Sequence, residues 1–393
     1  VLLGCSFAGL EFLYHYARRR GRFADGEVLV VDPRPVHEYV PLLHEQLAGS
    51  GHRRAPTFDA CAFCRAVGAE FRRAAAVGVD PSAQVVTLDD GGVVRYATLV
   101  IAVGSAPAVP AVLSRAPSVV GSKSLEDVAR LRAAVAAHPG VRDGRVPVVV
   151  VGGGLTGVEW AAELAGSPVG GRAVAVTLVD AVPRVLPTFG DGVAAHATRV
   201  LRGLGVELLL GRTVQDVDGE GTVALDDGRR LPAGAVLWAG GVRPSPALGA
   251  FGLPLGARGH LLVTPRLDVR GADGRPMQSL HAIGDAVRVV GDDGVEWPTM
   301  VRAIEAIWQG KLLARRLAGR HAPGAGPRHR LRRDFFHGVS LGPGHSLVVY
   351  GRRWADARPF VGLRRLLMWG YYVRYRLLGA VLGVGAGRAA RVR

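Results

Sequence analysis

An internal repeat constrains this chain more than any other feature. An apolar stretch at residues 1–3 runs into Gly4-Cys5-Ser6-Phe7-Ala8-Gly9, which opens a segment carrying Leu10, Leu13 and Tyr14 on one helical face; a second apolar stretch, residues 28–31, then ends at Asp32. The same order returns far downstream. Residues 148–151 lead into Gly152-Gly153-Gly154-Leu155-Thr156-Gly157, a helical pattern follows with Val158, Ala161, Ala162 and Leu164, and residues 174–179 end at Asp180. First glycine and terminal acid are 28 positions apart in both units. Two strand–turn–helix–strand units of matched spacing predict an α/β fold with two Rossmann-type dinucleotide-binding domains.

The residue types explain the expected chemistry. A glycine turn between strand and helix lets a diphosphate approach the helix N-terminus, where free N–H groups and the helix dipole stabilise its charge. The carboxylate ending the next strand accepts from ribose hydroxyls and repels a 2′-phosphate. Gly152, Gly154, Gly157 and Asp180 form a complete set, and the preference against a 2′-phosphate rests on Asp180 alone, with Arg184 nearby as a residue that could weaken it. In the first unit Gly4, Gly9 and Asp32 are present, and Ser6 takes the middle glycine position with a hydroxyl that could face a phosphate. Ala102 and Gly104 close the first half, and Gly284-Asp285 lies beyond the second unit. Gly284 would let backbone approach a ligand, and Asp285 could accept from its hydroxyls or simply cap a helix.

The remaining patterns suggest how the chain is divided. Residues 85–88, Asp90-Gly91-Gly92 and residues 93–96 read as a hairpin, as do residues 222–225, Asp227-Gly228 and residues 229–231. A short apolar strand follows each, at 99–103 and 235–238. The Pro-rich run 107–117 is a connector, and Ser124-Leu125-Glu126-Asp127 reads as a helix start. The expected division is a first domain in two parts, 1–116 and 242–320, around a second at 117–241, with a tail at 321–393. Residues 321–329, rich in Gly and Pro, read as a hinge.

Net charge is +16, but it is unevenly placed. The tail carries fourteen arginines against two acids, and the other 320 residues supply only +4. Such a tail points to a local anionic partner such as a membrane surface, and no zinc-finger spacing or aromatic-interleaved basic patch points to nucleic acid. Three cysteines, Cys5, Cys61 and Cys64, do not build a secreted disulfide framework. Cys61-Ala62-Phe63-Cys64 has redox-motif spacing but falls in a helical stretch and reads as packing; His52 is the only extra ligand nearby for a zinc site. No signal peptide and no spanning helix is expected, which predicts a cytoplasmic location, and the short opening strand leaves room for upstream residues.

With these residues in hand, the chain resembles the two-dinucleotide-binding flavoprotein oxidoreductases, and within them the type II NADH dehydrogenases. The likeness rests on the opening Gly-x-Ser-Phe-Ala-Gly-Leu-Glu, on residues 37–45, Lys123–Asp127, the run at 152–159, Trp238–Pro244 and Ala282–Asp285. It implies that Gly4, Ser6, Phe7, Ala8, Gly9 and Asp32 hold the ADP half of FAD, with Ala102 and Gly104 beside it. It implies that Pro41, Leu42 and Leu43 flank the isoalloxazine, and that Gly284 and Asp285 meet the ribityl chain. Gly152, Gly154, Leu155, Thr156, Gly157, Asp180 and Gly241 would hold NADH, and Glu159 would lie by the nicotinamide or simply cap its helix. Ala303, Ile304, Ala306 and Ile307 match the quinone side, with Ile304 where the family carries Gln. The implied reaction is hydride transfer from NADH to FAD, then two electrons to a quinone. It calls for no metal and no nucleophile triad. Sulfide:quinone reductases and disulfide reductases relay electrons through a dithiol, and the sulfide enzymes place cysteines in the second domain and near the C-terminus, whereas this chain has no cysteine beyond Cys64. Two other readings stay open: a soluble NAD(P)H-dependent reductase serving a ferredoxin-like protein, and a non-turnover FAD/NAD-binding protein resembling the apoptosis-inducing-factor relatives.

The tail fits the first reading. Residues 361–378 mix Leu363, Leu366, Leu367 and Leu377 on one helical face with Trp369, Tyr371, Tyr372 and Tyr375 and four arginines. The pattern predicts an in-plane helix at the cytoplasmic face of a membrane, its aromatics at headgroup level. The alternative is packing on the protein's own body or on a second subunit in a homodimer.

Overall fold

The computed structural model describes residues 1–47, 56–140, 143–298, 300–319, 326–332, 335–357 and 359–389. Both repeat units fold as mostly parallel sheets. In the first, Leu2–Leu3 lies between Leu29–Val31 and Leu99–Ile101, parallel to both, and Glu70–Arg72 and Pro276–Ala282 extend the sheet on either side. Three further strands, Asp268–Arg270, Leu261–Val263 and Val287–Val289, bring it to eight. The second sheet has five strands, all parallel, in the order Val119–Val120, Ala235–Trp238, Val146–Val151, Val174–Asp180 and Glu207–Leu210. Its central strand is a nearly unbroken valine run because both faces are covered, one by helices and the other by the antiparallel meander Val214–Val217, Thr222–Leu225 and Arg230–Pro232. Val146, Val148 and Val150 pack into one buried cluster and Val149 and Val151 into another.

Among the described residues, seven α-helices accompany the sheets: α1 (Phe7–Arg20), α2 (Ala60–Val67), α3 (Leu125–Ala137), α4 (Leu155–Gly166), α5 (Asp191–Gly203), α6 (Ala303–Ala318) and α7 (Pro359–Ala389). The chain passes from the first sheet to the second beside Ser105–Pro107 and returns beside Val242–Pro244, and these two strands pair antiparallel. Each predicted hairpin is present with an additional strand in front, Ala76–Asp80 and Val214–Val217. Ser124 caps α3 through a full capping box with Asp127. Helices α1 and α6 pack unusually closely, because a Cβ at Gly310 would stand only 2.4 Å from the Ala8 carbonyl oxygen. That contact brings α6 and the Gly284–Ala286 turn onto the first glycine turn.

The tail is an antiparallel meander, His337–Ser340, Ser346–Tyr350 and Arg353–Asp356, followed by α7. The meander is pinned to α5, where the Asp356 carboxylate accepts from His196 at 2.8 Å. The expected hinge is a fixed point at its end, since His329 is buried and lies 2.6 Å from Glu305; residues 321–325 and His52 lie outside the described residues. Helix α7 is longer than its sequence pattern and divides its surfaces differently. Tyr372 and Tyr375 are buried against α1 and α2, Tyr372 stacked on Phe58 and Tyr375 tilted on Phe58 and edge-on to Phe63, so these tyrosines are core residues rather than headgroup anchors. The opposite side stays exposed: Leu363, Leu366, Leu367, Trp369, Leu377 and Val381 are each between 44% and 71% accessible.

Candidate functional site

The two glycine turns match atom for atom. Gly4 and Gly152 adopt φ of +94° and +113°, and a side chain on either would strike a backbone oxygen 2.5 Å away, on Ala102 and Ala239 respectively. Gly9 and Gly157 sit so close beneath them that a Cβ would lie 1.9 and 1.7 Å from the Gly4 and Gly152 carbonyl oxygens. Only glycine serves at these positions. The carboxylates repeat as well. Asp32 accepts from the N–H of Cys5 at 2.7 Å and of Arg34 at 2.8 Å. Asp180 accepts from the N–H of Gly153, and of Val182 at 2.9 Å. Each acid therefore ties the end of the second strand to the residue after the first glycine, and it keeps lone pairs for a ribose. Burial pushes the Asp32 carboxyl up, while the Cys5 and Arg34 N–H groups oppose that shift.

Space for a ligand repeats too. Nothing lies within 4 Å of where a Cβ would project from Gly104, Gly154 or Gly241, so the cradle in front of each sheet edge is open. Ser6, at the position equivalent to Gly154, turns its hydroxyl sideways to the Nδ1 of His37 at 3.3 Å. Burial first, and then Arg34, lowers the His37 pKa to about 3, so that ring is neutral at working pH. Arg184 pairs with Asp191 and donates to the Phe189 carbonyl.

The later residues converge on the first turn. Gly284, with φ of +79°, lies against Ala8, and its N–H donates to Gln309 on α6 at 2.7 Å. Asp285 next to it accepts from Ser105 at 2.6 Å. Ala306 is buried in this contact, and Ala303, Ile304 and Ile307 are half-buried along α6. Pro41 is exposed, whereas Leu42 and Leu43 are buried; Leu43 belongs to the core of the second sheet, so its loop wedges between the two sheets. Leu155 is half-buried and Thr156 exposed at the start of α4.

Glu159 is buried on α4, and its Oε1 accepts from the Ser340 N–H at 2.9 Å, with Arg364 of α7 at 3.8 Å. Burial pushes its carboxyl up to about 7, against the opposing pull of Arg364 and the Ser340 N–H. Arg364 and Arg365 both also hold Glu45. Sequence reasoning missed this grouping, since nothing in the chain order marks residues 319 positions apart as partners. It also missed Ser105 and Lys123, although the rarity of lysine was a usable signal for the latter.

The cysteines are closer to the first turn than their spacing implied. Cys64 of α2 reaches the Cys5 thiol, and that hydrogen bond together with burial holds Cys5 well above the usual thiol range. Such thiols pack rather than react.

The glycine cradles, open sheet edges and paired ribose-type acids fit two dinucleotides, one per sheet. Known proteins agree with that fit. Over 327 residues the chain is 30% identical to the type II NADH:quinone oxidoreductase NdhA of Mycobacterium tuberculosis, covering 75% of this chain and 67% of that one. It is 25% identical over 341 residues to the type II NADH:quinone oxidoreductase of Staphylococcus aureus, covering 81% of each. In fold it matches the structure of NDH2 from Plasmodium falciparum in complex with NADH, with a TM-score of 0.79 at 15% identity, over 98% of this chain and 96% of that one. The family model for pyridine nucleotide-disulphide oxidoreductases matches residues 1–310, and the chain belongs to that family.

Proposed function

We propose that this chain is a FAD-dependent NADH:quinone oxidoreductase that works at a membrane surface. The observation that carries the reading is the duplicated clasp, Asp32 with Gly4 and Gly9, and Asp180 with Gly152 and Gly157. Its relatives, type II NADH:quinone oxidoreductases, favour the same activity. In this assignment residues 1–116 and 242–320 carry FAD and residues 117–241 carry NADH. When both are bound, the nicotinamide and the flavin supply the hydride transfer and the onward two-electron step.

The chain's own residues bind, orient and manage charge. The N-termini of α1 and α4 stabilise the two diphosphates. Asp180 selects the unphosphorylated ribose, and Arg184, held by Asp191, does not offset it. Asp285 accepts from ribityl hydroxyls. Glu159, with a carboxyl near neutrality, holds or releases a proton beside the nicotinamide. Ala303, Ile304, Ala306 and Ile307 supply an apolar wall for the quinone along α6.

The membrane part of the proposal rests on α7. One side is fixed to the body, and the other presents Leu363, Leu366, Leu367, Trp369, Leu377 and Val381 to solvent, in a tail of net charge +12. Among the described residues no helix is long and apolar enough to cross a membrane. An exposed apolar stripe within a basic segment suits lying on an anionic bilayer. Steady-state NADH oxidation with a short-chain quinone, with a ferredoxin-like protein, and with neither tests the assignment. Fast turnover with quinone alone supports it. Turnover only with the protein acceptor, or none at all, rejects the quinone.

A further inference from the structure

Among 49 basic residues, Lys123 and Lys311 are the only lysines. Lys311 is exposed on α6. Lys123 stands at the seam between the two sheets, with its side chain 24% accessible. Its backbone is anchored with care. The Asp127 carboxylate accepts from the N–H of Lys123 at 2.9 Å and of Ser124 at 3.0 Å, and the Leu125 N–H donates to Glu38, on the other side of the seam, at 3.1 Å. From that anchor the ammonium donates to the Ser105 hydroxyl, lies 3.3 Å from the Ser105 carbonyl oxygen, and stands 3.5 Å from Asp285 Oδ2. The Ser105 hydroxyl in turn donates to Asp285 Oδ2 at 2.6 Å.

The direction of these bonds follows from the donor inventory. An ammonium has three donors and no acceptor, so the Ser105 oxygen must accept from it. The hydroxyl proton then points to Asp285, the residue assigned to the ribityl chain. A compact ammonium can meet the hydroxyl, the carbonyl and the carboxylate from one point; a planar guanidinium presents its donors in a fixed fork and cannot. That accounts for a lysine here in a chain that otherwise uses arginine.

We propose that Lys123 is a positioning residue of the flavin site: reaching from the nicotinamide-side domain, it orients Ser105 and offsets the charge of Asp285, so that one domain tunes the cofactor held by the other. The inference rests on the flavin reading above. Without the ammonium, the Asp285 carboxylate is uncompensated, and adding negative charge to the bound flavin becomes less favourable.

The test is the two-electron midpoint potential of FAD-loaded wild type, Lys123→Met, Lys123→Gln, Lys123→Arg and, as a control, Lys311→Met. The two neutral variants at 123 should shift the oxidised–reduced equilibrium about tenfold toward the oxidised form, about 30 mV for a two-electron couple. Lys123→Arg, which restores the charge but not the three-point contact, should recover part of that shift, and Lys311→Met should leave the potential unchanged. A residue that merely tethered the domains would alter stability without moving the potential. Wild-type potentials in either neutral variant, or a Lys123→Arg value as low as theirs, overturn the inference and leave the flavin reading standing. A wild-type protein that does not retain FAD overturns both.

Discussion

The Glu11 carboxylate of α1 and the Arg374 guanidinium of α7 form an ion pair across 363 positions of the chain, and the Tyr375 hydroxyl donates to the same carboxylate at 2.6 Å. Glu11 is 1% accessible, at the second turn of the helix that follows the first glycine turn. Burial alone would raise its carboxyl, but His15, Arg374 and Tyr375 outweigh burial and lower it. Removing one partner of a buried pair leaves a charge unmatched, which costs more than the pair contributes. Arg374 keeps 32% accessibility, which reduces the effect. Arg374→Met should cost about 2–3 kcal/mol in denaturant unfolding, and the loss should be smaller when Glu11 is also replaced by Gln. An unchanged midpoint would show that α7 is not docked on α1.

The duplicated clasps can be separated by mutation. Asp180→Ala removes the acceptor for one ribose and should raise the KM for NADH about tenfold or more, at 1.5–3 kcal/mol for a charged hydrogen bond. The same change should narrow the preference for NADH over NADPH. Asp32→Ala should leave both nucleotides alike in affinity and weaken FAD retention instead. If both variants lose the same ligand, the assignment of one dinucleotide per sheet is wrong.

Gly157→Ala tests the close approach that the second turn demands. Its Cβ would stand 1.7 Å from the Gly152 oxygen, so the turn must open. Binding of NADH, followed by calorimetry, should be lost while the flavin spectrum persists. Gly154→Ala, whose Cβ meets no protein atom within 4 Å, should fold normally and weaken NADH only through the ligand.

The Glu159 carboxyl, near pH 7, makes a prediction of definite sign. Its folded pKa lies above its unfolded value, so the folded state holds this proton longer than the unfolded chain does. The cost of ionising it in place is absent below about pH 4.5, grows as pH rises, and is complete above about pH 7. At about 1.4 kcal/mol per tenfold change, that cost is roughly 3 kcal/mol. Glu159→Gln, which can still accept from Ser340, should remove the decline in stability over this range. It should also flatten any ionisation near pH 7 in the NADH half-reaction. A wild-type stability curve that rises between pH 5 and 7, with the variant parallel to it, would contradict the assignment.

The outward stripe of α7 makes the membrane proposal testable. Leu366→Glu with Leu377→Glu places charge at two residues that are 60% and 61% accessible, so folding should be unaffected. Co-sedimentation with anionic vesicles should fall sharply while turnover with a short-chain, water-soluble quinone is retained. Equal sedimentation of variant and parent would mean that the stripe does not meet lipid.

What was legible in the chain was local and repeated. Gly4, Gly9 and Asp32 could be recognised despite Ser6, because the 28-position spacing matched that of Gly152 and Asp180. The physical demand behind those glycines is backbone crowding, which leaves no room for a side chain. The Ser124 cap was readable for a similar reason, since a capping box is complete within four residues. Contacts between distant segments were not. Glu45 with Arg364, Glu159 with Ser340, and Glu11 with Arg374 are ordinary surface residue types until folding brings them together. Helix α7 was half legible. It carries apolar side chains on both faces, so periodicity identified the leucine side that remains exposed and gave no sign that the tyrosines are the buried side.

Anaerobic addition of NADH to the FAD-loaded protein tests the central claim most directly. One equivalent should bleach the flavin absorbance near 450 nm, typical of bound flavins, in one turnover, and a short-chain quinone should then restore it. A protein that stays colourless after FAD is supplied, or a bound flavin that NADH leaves oxidised, would contradict the account.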